Sequence, residues 1–313
     1  RWTLWTIASP LILFVILCIL IYLPPIQNFL VDKAAVYASE ATGMNISVGR
    51  ISLSFPLNLV VTDVDAASPH NDTLLSVRRL QVNVQLLPLL KKQVEVDGIS
   101  LQGATVNSND LIHGMKLNGT LGELFISSHG VALDPETAIV NKVLLKDTDL
   151  SLCLNDTAAA DTAASDTAYW KIILQDIDLQ NVSFALDMPL DSLSLAASLD
   201  NAILRDGLID LHKSAYSLQT FRIKNGRVRY DSGKPLAADS LPSGLDPSHI
   251  ALTDIGVKLD SLYYEGRNMK AIISQFVLKE RSGVEIVSAT GRMVSNDKVL
   301  RVPSLKLETR DSY

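Results

Sequence analysis

The sequence predicts a mainly β protein that follows one N-terminal transmembrane helix and a short amphipathic helix. Three observations carry this reading. Leu4 to Leu23 contains no charged residue, the apolar period changes from about 3.6 to 2 after Gly43, and one short apolar and polar unit recurs along the rest of the chain.

An uncharged run from Leu4 to Leu23 is long enough, at about 1.5 Å per helical residue, to cover roughly 30 Å of hydrocarbon. Leu4, Leu11, Ile12, Phe14, Ile16, Leu20 and Leu23 supply the apolar surface of this anchor, residues 1–24. Trp2, Trp5 and Tyr22 stand at its ends, where amphipathic rings favour headgroups, and Arg1 on the short side places the N-terminus in the cytoplasm. A cleaved signal peptide fits less well, because Tyr22-Leu23-Pro24-Pro25 offers no small-residue cleavage site.

Pro24-Pro25 stops that helix, and residues 25–43 form a second, amphipathic one. Ile26, Phe29, Leu30, Ala34, Tyr37 and Ala41 recur at steps of three and four, with Gly43 as the C-cap. Its apolar face has two available roles: lying on a membrane surface, or plugging one end of the β-body that follows.

Residues 44–313 read as strands with one apolar face. Ile46 and Val48, then Ile51, Leu53 and Phe55, then Leu57, Leu59 and Val61 alternate with polar partners, as do Val82 and Val84 further on. The recurring unit is apolar, any, apolar, then Gln or Lys, then Gly, Asn or Asp, a variable position, any, and apolar. Ile99, Leu101, Gly103 and Val106 make one copy. Ile177, Leu179, Asn181 and Phe184 make a second, and Phe221, Ile223, Asn225 and Val228 a third. Looser copies are Val143 to Leu150 and Ile250 to Val257.

In every copy the apolar parity shifts across the polar pair, which a turn or bulge accomplishes by adding one residue. Gly, Asn and Asp suit that corner because they tolerate left-handed backbone angles. The copies are too unevenly spaced for a strict solenoid, so a long meandering sheet is expected. Residues 155–168, low in complexity and without bulky side chains, are expected to be an exposed loop. Asp134-Pro135-Glu136-Thr137 has the form of a helix start, in competition with the strand pattern of Val143 and Leu145. With few helices to cover its apolar face, the sheet must form a sandwich, close into a barrel, or fold lengthwise around a guest.

Of the 313 residues 47% are hydrophobic, 20% charged and 6% aromatic, with a net charge of -6, which disfavours a nucleic-acid partner. Cys18 and Cys153 give no disulfide framework. The five histidines stand alone, no phosphate loop or nucleophile elbow occurs, and the pairs Asp63/Asp65, Asp147/Asp149 and Asp176/Asp178 lack a full calcium loop. No catalytic residue, cofactor or metal is therefore assigned, and an enzyme is not expected. Arg222, Lys224, Arg227 and Arg229 form a basic outer stripe, read as a solvated face. Arg1 at the start and a strand-like pattern at the end lead us to expect a piece of a longer chain.

The order of an anchor, then Ala41-Thr42-Gly43-Met44-Asn45-Ile46-Ser47-Val48-Gly49-Arg50-Ile51, then Asp72-Thr73-Leu74-Leu75-Ser76-Val77, then Val82 to Leu90 ending at Lys91-Lys92, resembles the N-terminal part of the TamB family. That family lies within the AsmA-like superfamily, and the resemblance is to the version in Bacteroidota-type bacteria. It implies a lengthwise-curved sheet forming an open hydrophobic groove, a β-taco, anchored in the inner membrane with its bulk in the periplasm. It further implies phospholipid in the groove, lined here by Ile51, Leu53, Phe55, Val82, Val84, Ile99, Leu101, Val106, Ile177, Leu179, Phe184, Phe221, Ile223 and Val228. An Omp85-class outer-membrane barrel is the implied partner, through a C-terminal region not contained in this sequence. The leading functional expectation is a lipid conduit between the two membranes. An assembly factor for outer-membrane β-barrel proteins is the second, and a surface adhesin with a closed core the third.

Overall fold

The computed structural model describes residues 33, 35–37, 39–40, 42–54, 58–68, 72–85, 96–108, 114–132, 136–155, 170–233 and 244–310. The expected anchor, Leu4 to Leu23, lies outside them, as do Phe55, Leu57 and residues 156–168 of the expected loop. Among the described residues no helix is long and apolar enough to cross a membrane. Strands make up 81% of the described residues.

Lys33, Ala35, Val36, Tyr37, Ser39, Glu40 and Thr42 are helical. Gly43 closes this helix at φ 70°, its N–H donating to the Ser39 carbonyl at 2.9 Å, as a left-handed cap does. Tyr37 is 75% exposed, so its ring does not plug a β-body. Ser39 instead ties the helix to the first strand: its Oγ accepts from the Ile46 N–H at 3.0 Å and donates to the Ile46 carbonyl at 3.4 Å.

Two compact units divide the chain, Arg1–Thr105 and Val106–Tyr313. In the first, β1 (Asn45–Ser54), β2 (Asn58–Ala67) and β3 (Thr73–Val84) pair antiparallel in sequence order. Ile51, Val61 and Leu80 stand opposite one another, as do Leu53, Leu59 and Val82. Val84 ends β3. The boundary between the units falls within β4 (Val96–Asn107), which carries Ile99, Leu101 and Val106 on either side of Gly103.

The second unit holds β5 (Met115–Ala132), β6 (Thr137–Leu154), β7 (Lys171–Met188), β8 (Leu193–Asp210), β9 (Ala215–Leu218), β10 (Thr220–Ser232), β11 (His249–Glu265), β12 (Asn268–Glu280), β13 (Glu285–Ser295) and β14 (Leu300–Thr309). They neighbour in sequence order, except that β9 and β10 share one lane between β8 and β11, interrupted at Gln219. The competition at Thr137 resolves as strand: β6 runs unbroken through Val143 and Leu145. In the second unit β6 and β7 are parallel, while the pairings from β7 to β14 and that of β5 with β6 are antiparallel. Thr137 faces Lys171 and Val143 faces Ile177, so two copies of the recurring unit lie side by side, residue for residue.

Every expected corner residue adopts a left-handed backbone: Gly103 at φ 62°, Asp147 at 49°, Asn181 at 51°, Asn225 at 53° and Asp254 at 53°. The parity swap has a direct geometric signature at Asn225. A Cβ added to Gly226 would meet Ile223 Cγ2 and Ile255 Cβ, each at 3.2 Å, so positions 223 and 226 share a face although three residues separate them. One left-handed residue thus absorbs the odd step, and apolar side chains keep their side of the sheet.

Candidate functional site: an uncovered apolar sheet face

Residues directly opposite in a ladder point to the same face, so register identifies which side chains assemble. Ile126, Val143, Ile177, Leu204, Phe221, Leu259, Ile273, Gly291 and Leu305 form one continuous rung from β5 to β14. Leu124, Leu145, Leu179, Ala202, Ile223, Val257, Phe276, Ala289 and Leu307 form the next. Beyond the corners, Leu150, Phe184, Ala197, Val228 and Leu252 align from β6 to β11, followed by Leu152, Leu186, Leu195, Tyr230 and Ile250.

The sequence-predicted lining residues on β7 and β10 therefore share rungs with one β8 residue between them: Ile177 and Phe221 across Leu204, Leu179 and Ile223 across Ala202, and Phe184 and Val228 across Ala197. Eight interstrand steps of about 4.8 Å make the first two rungs roughly 38 Å long. In the first unit Ile51 aligns with Val61, and Leu53 and Val82 align through Leu59, while Ile99, Leu101 and Val106 lie on β4. Phe55 is outside the described residues.

Among the described residues no second layer closes over this face. A packed core contains large aliphatic side chains removed from solvent. Among the described residues, by contrast, no large side chain is fully buried, and the buried apolar set is mostly alanine: Ala66, Ala202, Ala215, Ala271 and Ala289, with Leu74 and Val77. The rung residues are half-buried by their own neighbours. Phe184 is 38% exposed, and Leu305 on the terminal strand β14 is 64% exposed.

The opposite face is polar and internally bonded. Asn181 Nδ2 donates to Asp147 Oδ1 at 2.9 Å, Ser183 Oγ donates to Asp149 Oδ2 at 2.7 Å, and Arg205 pairs with Asp176 and with Asp178. Asp147, Asp149, Asp176 and Asp178, the acidic pairs of this unit, are thus engaged by an amide, a hydroxyl and a guanidinium on neighbouring strands.

Sequence reasoning missed two corners. Asp63 and Asp206 are left-handed, at φ 54° and 51°. Their signal was present: Leu59-Val60-Val61-Thr62-Asp63-Val64-Asp65-Ala66 repeats the looser form with Thr before Asp, and Ala202-Ile203-Leu204-Arg205-Asp206-Gly207-Leu208-Ile209 places Arg in the Gln or Lys slot. A Cβ on Gly207 would stand 2.8 Å from Leu204 Cδ2, the same three-residue signature as at Asn225.

Fold and face together define a class, a long-sheet β protein with one continuous, uncovered apolar face. No family model and no curated protein matches the chain.

Proposed function

We propose that the apolar face of the second unit is an open groove that holds the acyl chains of phospholipids, and that the protein is a lipid conduit rather than an enzyme. One observation carries this reading: rungs of aliphatic and aromatic side chains run across nine strands with no covering layer among the described residues. Such a surface in water is unfavourable by about 25 cal/mol per Å² and is relieved by an apolar guest. A lipid fits because its acyl chains make no polar demand on a face that offers no polar partner, while its headgroup stays in water. The uncharged segment Leu4 to Leu23 supports membrane attachment, and the resemblance to the TamB family supports an inner-membrane location with the groove in the periplasm.

Lipids extracted from the purified full chain and identified by mass spectrometry test the proposal. Phospholipid should copurify, and Ile223→Asp should reduce it more than roughly tenfold by placing a carboxylate among acyl chains. Arg227→Asp, on the polar face, should leave it unchanged. A lipid-free protein, or equal loss in both variants, would sink the proposal.

A further inference from the structure

On the polar face of the second unit, Arg222 of β10 stands directly opposite Lys258 of β11, and Lys224 lies two residues along β10 on the same side. Like charges placed opposite one another destabilise a sheet unless something neutralises them. The nearby carboxylates are turned to other partners. Asp254 pairs with Lys279 Nζ at 3.3 Å, Asp200 accepts from Asn225 Nδ2 at 2.5 Å, and Asp260 accepts the Ser274 hydroxyl while lying 4.0 Å from Lys258 Nζ. Among the described residues Arg222 and Lys224 have no acidic partner.

Beneath these cations the ladder slips. Ile223 faces Val257 but Gly226 faces Ile255, and on the next lane Thr253 faces Lys279 but Gly256 faces Val277. The floor between the two slips is Gly256, where a Cβ would stand only 2.7 Å from Val277 Cγ2. A hollow of about 650 Å³ results, bordered by Arg222, Lys224 and Lys258, by the amide side chains of Asn201, Asn225 and Gln275, by the carboxylate of Asp254 that Lys279 holds, and by four aliphatic residues including Ile223 and Val257.

We propose that this hollow binds a phosphate group. A phosphate group carries one negative charge as a diester and close to two as a monoester, with several acceptor oxygens, matching two ammoniums, one forked guanidinium and amide donors. A phospholipid headgroup at a bilayer and a soluble phosphate ester present the same chemistry. Its cations lie on the face opposite the groove, while Ile223 and Val257 of the rungs border it, so phosphate binding is read through variants of the cations alone.

The test has two arms, both on the full chain. Equilibrium dialysis with radiolabelled inorganic phosphate reads the soluble source, with glycerol 3-phosphate as competitor and chloride at equal ionic strength as the control. Flotation with phosphatidylglycerol vesicles, against phosphatidylcholine vesicles, reads the headgroup. Saturable binding in either arm should weaken roughly tenfold or more in Arg222→Gln and in Lys258→Gln, each losing a charge-assisted contact. It should be unchanged in Arg301→Gln on β14, with circular dichroism confirming that all three variants fold. Binding in the dialysis arm identifies a soluble ester, and binding only to phosphatidylglycerol vesicles identifies the headgroup. No saturable binding in either arm, competition by chloride, or an equal loss in Arg301→Gln overturns the proposal.

Discussion

The sheet treats its corners differently in two places. From β6 to β8 the left-handed residues Asp147 and Asn181 sit side by side and the register runs through them unbroken: Lys146 faces Gln180, Thr148 faces Val182, and Gln180 faces Asn201 on the other side. From β10 to β12 the corners Asn225 and Asp254 fall out of step, and the register slips at each. Aligned corners shift the parity of all strands together, so the ladder bends without losing its partners. Between β10 and β12 the corners Asn225 and Asp254 leave two residues facing one, which is a bulge, and a hollow opens above Gly256. The same local device therefore builds a continuous apolar face in one region and a polar recess in the other.

Breaking the aligned region should give the largest effect. Gly119 lies in β5 at φ 155°, and a Cβ there would approach the Asp149 carbonyl oxygen to 2.1 Å, with backbone rather than flexible side chain in the way. Gly119→Ala should cost roughly 3 kcal/mol, the upper end of the range for overpacking, as measured by denaturant unfolding. Next comes the corner itself. Asn181→Val should cost about 2 kcal/mol, because a β-branched residue resists a left-handed backbone and the bond to Asp147 is lost. Asn181→Gly should cost only a few tenths by comparison, since it keeps the backbone angle.

A third substitution sharpens the distinction between an open face and a closed core. Leu179→Asp should destabilise the lipid-free protein by less than about 2 kcal/mol, because its neighbours half-bury it and no layer lies above. A sealed core would lose more than about 4 kcal/mol.

The smallest expected effect concerns pH at the turn after β12. Glu280 is only 7% exposed. Burial pushes its carboxyl up, but bonds from the side chain and N–H of Ser282 and from the Ala251 and Arg281 N–H groups outweigh this, leaving it below the ordinary value of 4.5. A lowered folded-state value supplies stability that is complete above the ordinary value and is lost as pH falls through the folded one. Thermal midpoints of Glu280→Gln should therefore fall less steeply on acidification than those of the parent.

The corners were legible in the sequence because a parity shift needs only one strand to be seen: Ile177 and Leu179 against Val182 and Phe184, across Gln180-Asn181. Asp206 escaped because Arg205 replaces the Gln or Lys that marked the unit, whereas Asp63 follows Thr62 as Asp254 follows Thr253 and was legible by the same pattern. The parallel pairing of β6 with β7 was hidden, since spacing along one chain does not state direction. The hollow at Gly256 was hidden for a related reason. A slip is a relation between strands, and neither Asn225 nor Asp254 alone reveals that it lies out of step with its neighbour. The acidic pairs illustrate the same limit, because Asp176 and Asp178 become interpretable only when register brings Arg205 opposite.

The central claim joins the parity swap to an apolar guest, and one measurement reads both. A photocrosslinking residue placed in turn at Asp178, Leu179, Val182 and Ser183 of the full chain in cells, followed by a search for lipid adducts, samples both faces on either side of Asn181. Adducts at positions 179 and 182, with none at 178 and 183, are the expected result. Adducts at 179 but not at 182 would contradict the shared face, and no adducts at any of the four would contradict the lipid-filled groove.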